Sequence, residues 1–107
     1  MKCGLKHETI KAIQGIFARY PQIEKVILYG SRAKGTYRKG SDIDLTLIGK
    51  DLDLTPLFEI KNTLDDLLLP YKIDLSIYQK IENADLLGHI KRVGVVFYER
   101  KRESEKL

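Results

Sequence analysis

Hydrophobic residues recur along this chain at two periods, one helical and one extended. Ile10, Ile13, Phe17 and Tyr20 fall at helical spacing, so residues 5 to 20 read as an amphipathic helix ended by Pro21. KVILYG, residues 25 to 30, is a short β-rich run of the buried kind that closes at Gly30. SDIDLTLIG, residues 41 to 49, is a second such run, bounded by Gly40-Ser41 and by Gly49. Helical spacing returns at Leu57, Ile60, Leu64, Leu67 and Leu68, with Thr55 as N-cap, Pro56 at the first helical position and Pro70 beyond the end. YKIDLSIY, residues 71 to 78, predicts a third strand. Leu86, Leu87, Ile90 and Val93 predict a last helix stopped by Gly94, and VVFYE a fourth strand.

The implied fold is α/β (α+β): a small, mixed, four-stranded sheet with helices packed on it. The helix between the second and third strands is long enough for a crossover, which predicts that those strands run parallel. The shorter loop between the first two strands allows an antiparallel pair. Residues 1–98 are expected to form a single domain, and the charged stretch 99–107 a frayed tail.

Composition fits a globular chain rather than a disordered one, with 43% hydrophobic and 32% charged residues among 107. No apolar run approaches the roughly 18 residues that span a membrane, and the N-terminus lacks the apolar core of a signal peptide. A cytoplasmic location is expected. Cys3, the one cysteine, reads as an incidental surface thiol near a mobile end. The formal charge is +4, and its placement is informative. Arg32, Lys34, Arg38 and Lys39 lie within residues 31 to 40 without an acid among them. Without those four, the 19 basic residues become 15, equal to the 15 acidic ones. One basic loop suits a local anionic ligand better than a long polyanion, so direct nucleic-acid binding is not expected.

The second strand carries two carboxylates. Side chains at i and i+2 of a strand share a face, so Asp42 and Asp44 are expected to project together while Ile43 enters the core. Such a pair repels itself and loses hydration against the sheet, and a hard cation such as Mg²⁺ relieves both costs. Asp74, between Ile73 and Leu75, would join them if the third strand neighbours the second. Three carboxylates can hold two metal ions about 3.5–4 Å apart. Asp65 and Asp66, adjacent on a helix, read as a solvated surface.

The basic loop opens with Gly30, which permits close backbone approach, and Ser31, with a hydroxyl and an amide at the start of a possible short helix. Arg32 and Lys34 would add charge for triphosphate oxygens. The spacing is not that of a Walker loop.

Gly30-Ser31, ten residues, then Asp42-x-Asp44 resembles the signature of the DNA polymerase β-like nucleotidyltransferase superfamily, and Asp74 on its apolar strand is similar to the family's third carboxylate. GSRAKG in particular resembles the minimal nucleotidyltransferases, the antitoxins of HEPN/MNT toxin–antitoxin pairs. The resemblance runs from Val26 through Tyr98. It implies that Asp42, Asp44 and Asp74 are catalytic and bind two Mg²⁺ ions, Asp74 also helping to deprotonate the acceptor. It implies that Gly30 and Ser31 grip the phosphates of ATP, with Arg32 and Lys34 beside them. The implied reaction is attack on the α-phosphorus of a nucleoside triphosphate, transferring NMP and releasing pyrophosphate.

No separate acceptor domain is expected, so the acceptor surface should come from a partner. The resemblance implies a HEPN-type ribonuclease toxin carrying an acceptor tyrosine. Alternatives are an antitoxin that works by binding alone, and the catalytic subunit of an antibiotic- or nucleic-acid-modifying enzyme. His7 and His89 read as surface residues, Tyr29 as packed on the sheet, and Tyr37 as an exposed loop residue.

Overall fold

A computed structural model describes residues 1–101. In chain order it holds helix α1 (His7–Ala18), strand β1 (Ile23–Tyr29), the five-residue helix α2 (Gly30–Lys34), and strand β2 (Ile43–Gly49). Helix α3 (Leu54–Asp65), strand β3 (Ile73–Ile77), a 3₁₀ turn at Tyr78–Lys80, helix α4 (Ala84–Val93) and strand β4 (Val95–Glu99) follow. The strands form one sheet in the order β3-β2-β1-β4. β2 and β3 run parallel, while β1 is antiparallel to both β2 and β4, so the sheet is mixed as expected.

Alternation along β1 and β2 sorts the sheet into two faces. Val26 and Leu28 pair across the ladder with Leu47 and Leu45, and all four are fully buried. This face meets Ile13 and Phe17 of α1 and Ile60 and Leu64 of α3 in one apolar cluster. Phe17 sets its ring edge-on to Phe97 of β4, 6.3 Å between centroids. The opposite face carries Tyr29, Asp44, Thr46, Asp74 and Ser76, and α4 packs toward it through the edge contact of His89 with Tyr29, 6.1 Å between centroids.

Helix ends depart from the expected limits for local reasons. α1 stops at Ala18, since the residue before Pro21 disfavours helical backbone, and Tyr20 instead hydrogen-bonds Thr63 at 3.0 Å. α3 begins at Leu54 with Asp53 in the cap position, so Thr55 is inside the helix rather than capping it. Pro56 then falls in the first turn, where a missing N–H costs nothing. α3 ends at Asp65, before Leu67 and Leu68, and Leu68 takes a left-handed φ of 53°. α4 is capped as a helix should be, with the Asn83 side chain accepting from the Leu86 amide at 3.0 Å.

Cys3 is not a surface thiol: it is 1% exposed and belongs to the core cluster. Glu99 closes β4, and Arg100 donates to the carbonyls of Ile23, Ala18 and Tyr20 at 3.0, 3.2 and 2.9 Å. These two residues of the stretch read as a tail are therefore tied to the fold. Lys101 is exposed, and residues 102–107 of that stretch lie outside the described residues. Among the described residues no helix is long and apolar enough to cross a membrane.

Candidate active site

Strand register assembles the site. Asp44 is the cross-strand partner of Tyr29 on one side and of Asp74 on the other. The three side chains therefore form a row across the sheet face opposite the α1/α3 core. Asp42 lies one residue before β2 begins, exposed at the mouth of the strand rather than on it. Burial raises the Asp44 carboxyl above the ordinary carboxylate value, and the charges of Asp74 and Asp42 push it further, against the weaker pull of His89 and Lys72. Burial likewise raises the Tyr29 phenol; a hydrogen bond with Ser76 opposes this, while the Asp74 and Asp44 charges add to it. Below the carboxylates, the Ser76 hydroxyl donates to that of Thr46 at 2.9 Å.

The turn into α2 abuts this row. Gly30 holds φ 74°, and a Cβ there would run into the Asp44 carboxylate, so glycine is what allows the backbone this close. The Gly30 amide donates to His89 Nε2 at 3.0 Å. That bond occupies the Gly30 amide and leaves Ser31, not Gly30, to offer an amide to a ligand. His89, read as a surface residue, is thus the contact between α4 and the turn. Its signal was present in the pattern: it lies three residues after Leu86 and four before Val93, on the apolar stripe of α4.

The basic residues divide. Lys34 is exposed at the end of α2, as are Arg38 and Lys39. Arg32 is not available to a phosphate: it is 1% exposed, and its Nε, Nη1 and Nη2 donate to backbone carbonyls of Ser41, Cys3 and Ser41. The expectation that it binds nucleotide gives way to an internal role.

The carboxylates offer only hard oxygen ligands, and Asp44's raised protonation is the cost that a nearby cation removes. Among the described residues no three His, Cys, Asp or Glu side chains are drawn together into a ready-made cage. The set fits a cation such as Mg²⁺, which takes one or two carboxylates and completes its shell with water and substrate phosphate.

Fold and site define a class, the nucleotidyltransferase domain. Residues 11–103 match the family described as Polymerase beta, Nucleotidyltransferase, and the chain belongs to that family. It is 29% identical over 103 residues to the Haemophilus influenzae protein named "Probable protein adenylyltransferase MntA", covering 95% of this chain and 90% of that one. A Methanocaldococcus jannaschii protein that also carries a protein adenylyltransferase name is 34% identical over 82 residues, 75% of this chain and 60% of that protein. Among solved structures, a toxin–antitoxin crystal structure with AMP-PNP superposes at TM-score 0.68 with 22% identity, over 95% of this chain and 80% of that one. A tri-AMPylated Shewanella oneidensis HEPN toxin in complex with MNT antitoxin gives 0.66 with 18% identity, over 95% and 79%. At these identities the structures establish the fold.

Proposed function

We propose that this chain transfers AMP from ATP to a hydroxyl, most simply a tyrosine of a HEPN-type toxin that it holds as its antitoxin. The observation that carries the reading is the lateral pairing of Asp44 with Asp74, with the Gly30 backbone pressed against Asp44. Family membership supports nucleotidyl transfer, and the names of the relatives support a protein acceptor.

In this reading Asp42, Asp44 and Asp74 would hold two Mg²⁺ ions. The bound metal would neutralise triphosphate charge and ease ionisation of the acceptor hydroxyl. Ser31 presents its amide and hydroxyl to the phosphates, Gly30 lets them approach the carboxylate row, and Lys34 adds a mobile cation. Asp74, on the edge strand and exposed, faces the acceptor and takes part in removing its proton. The acceptor oxygen bonds to the α-phosphorus, the bond from that phosphorus to the bridging oxygen breaks, and pyrophosphate leaves with the electron pair.

The chain, labelled ATP, Mg²⁺ and a HEPN-type partner are incubated together. Label on the partner, lost in the Asp42→Asn/Asp44→Asn double variant, is the expected outcome. An unlabelled partner with wild type sinks the enzymatic reading, and protection of cells by the double variant would favour an antitoxin that acts by contact alone.

A further inference from the structure

Arg32 has an environment that a phosphate ligand does not explain. Burying a guanidinium is costly unless its donors are satisfied, and an apolar side chain would fill the same space without that cost. Here Nε and Nη2 both donate to the Ser41 carbonyl, at 3.1 and 2.9 Å, and Nη1 donates to the Cys3 carbonyl at 2.8 Å. The guanidinium also lies over the rings of Tyr71, 4.8 Å from its centroid, and Tyr37, at 5.5 Å. Two of these contacts fall beside parts of the site. Ser41 precedes Asp42, Tyr71 stands three residues before Asp74, and Arg32 itself follows Ser31. Gly4, at φ 78°, completes the arrangement: a Cβ there would strike the Tyr37 ring and come within 2.9 Å of Arg32 Nη1.

We propose that Arg32 is a positioning residue which fixes the Gly30-Ser31 turn against the segments bearing the three aspartates, and latches the segment around Cys3 and Gly4 onto that turn. The proposal rests on the reading of this turn as the nucleotide site. Lysine cannot replace it, since a single ammonium lacks the planar fork that meets Ser41 and Cys3 together. Because the latch and the turn share one side chain, their stabilities are linked in both directions: Mg·ATP at the turn tightens the latch, and release of the latch weakens Mg·ATP binding.

Cys3 is the chain's one cysteine and is buried, so its reaction with an aromatic disulfide under native conditions reports opening of the latch. Wild type, Arg32→Ala, Arg32→Lys and Tyr71→Leu are compared by Cys3 reaction rate, by titration with Mg·ATP and by circular dichroism. In folded Arg32→Ala, Cys3 reacts faster and Mg·ATP affinity falls roughly 10- to 100-fold, the range for partners that orient ligand groups. Millimolar guanidinium restores both, and Arg32→Lys recovers neither. Mg·ATP slows Cys3 reaction in wild type. A folded Arg32→Ala protein with unchanged affinity and unchanged Cys3 rate overturns the proposal, as does a loss of thermal stability alone. Should Arg32→Ala not fold, Tyr71→Leu is read by the same two measurements, and wild-type values there overturn it equally. A wild type that binds no Mg·ATP contradicts the nucleotide reading, while the Cys3 rates still decide the latch.

Discussion

Under the proposed function, Asp44 is where stability and function oppose each other. It is partly buried, flanked by Asp42 and Asp74, and raised in pKa, so its ionised form is strained in the metal-free fold. A carboxyl raised in the folded state stabilises the fold below its unfolded value of about 3.9 and loses that contribution as pH climbs through the raised value. Metal-free Asp44→Asn should therefore melt higher than wild type at pH 7, with the gap closing in acid; differential scanning calorimetry across pH checks this. The same variant should lose transfer activity by about 10³-fold, equivalent to about 4 kcal/mol of charge stabilisation. Gly30→Ala should cost about 1–2 kcal/mol for its left-handed backbone, read by urea denaturation, and displace the Asp44 carboxylate as well. Spacing on apolar strands predicted that Asp44 and Asp74 would share a face, and the register pairs them, whereas Asp42, expected on the strand beside Asp44, lies one residue before it. Arg32 was not legible, because a basic residue inside a basic loop carries no sign of whether it faces solvent or the carbonyls of Ser41 and Cys3.

Among the elements, periodicity placed α1, α3, α4 and the four strands, because each buries an apolar stripe that its period exposes to view; the five-residue α2, whose buried side chain is Arg32, has no such stripe. The parallel pairing of β2 and β3 followed from the length of the crossover, and it is this pairing that sets Asp44 beside Asp74. Cap positions were harder to read. Thr55 and Asp53 are both competent caps by residue type, and only the backbone at Asp53, extended before Leu54, decides between them. The role of α4 also lay beyond the pattern. A stripe of Leu86, His89 and Val93 announces a packed face, but not that His89 would accept a hydrogen bond from Gly30. The Asn83 cap anchors this helix, so Asn83→Ala should lower stability by about 1 kcal/mol in chemical denaturation.

The molecule divides its labour between the two faces of one sheet. One face, with α1 and α3, buries the apolar cluster; the other holds the carboxylate row, where His89 of α4 meets Tyr29 and the Gly30 amide that opens α2. Asp74 lies on the edge strand β3 and is exposed, which leaves space beside it for an acceptor hydroxyl carried by another molecule. Central to the account is transfer of AMP from ATP by these carboxylates to a tyrosine of a partner. Intact-mass spectrometry tests it most directly, on a HEPN-type toxin purified after co-expression with this chain or with its Asp44→Asn variant. The account predicts toxin heavier by whole AMP units, mapped to tyrosine, with the wild type and unmodified toxin with the variant. Unmodified toxin in both, or equal modification in both, would contradict it.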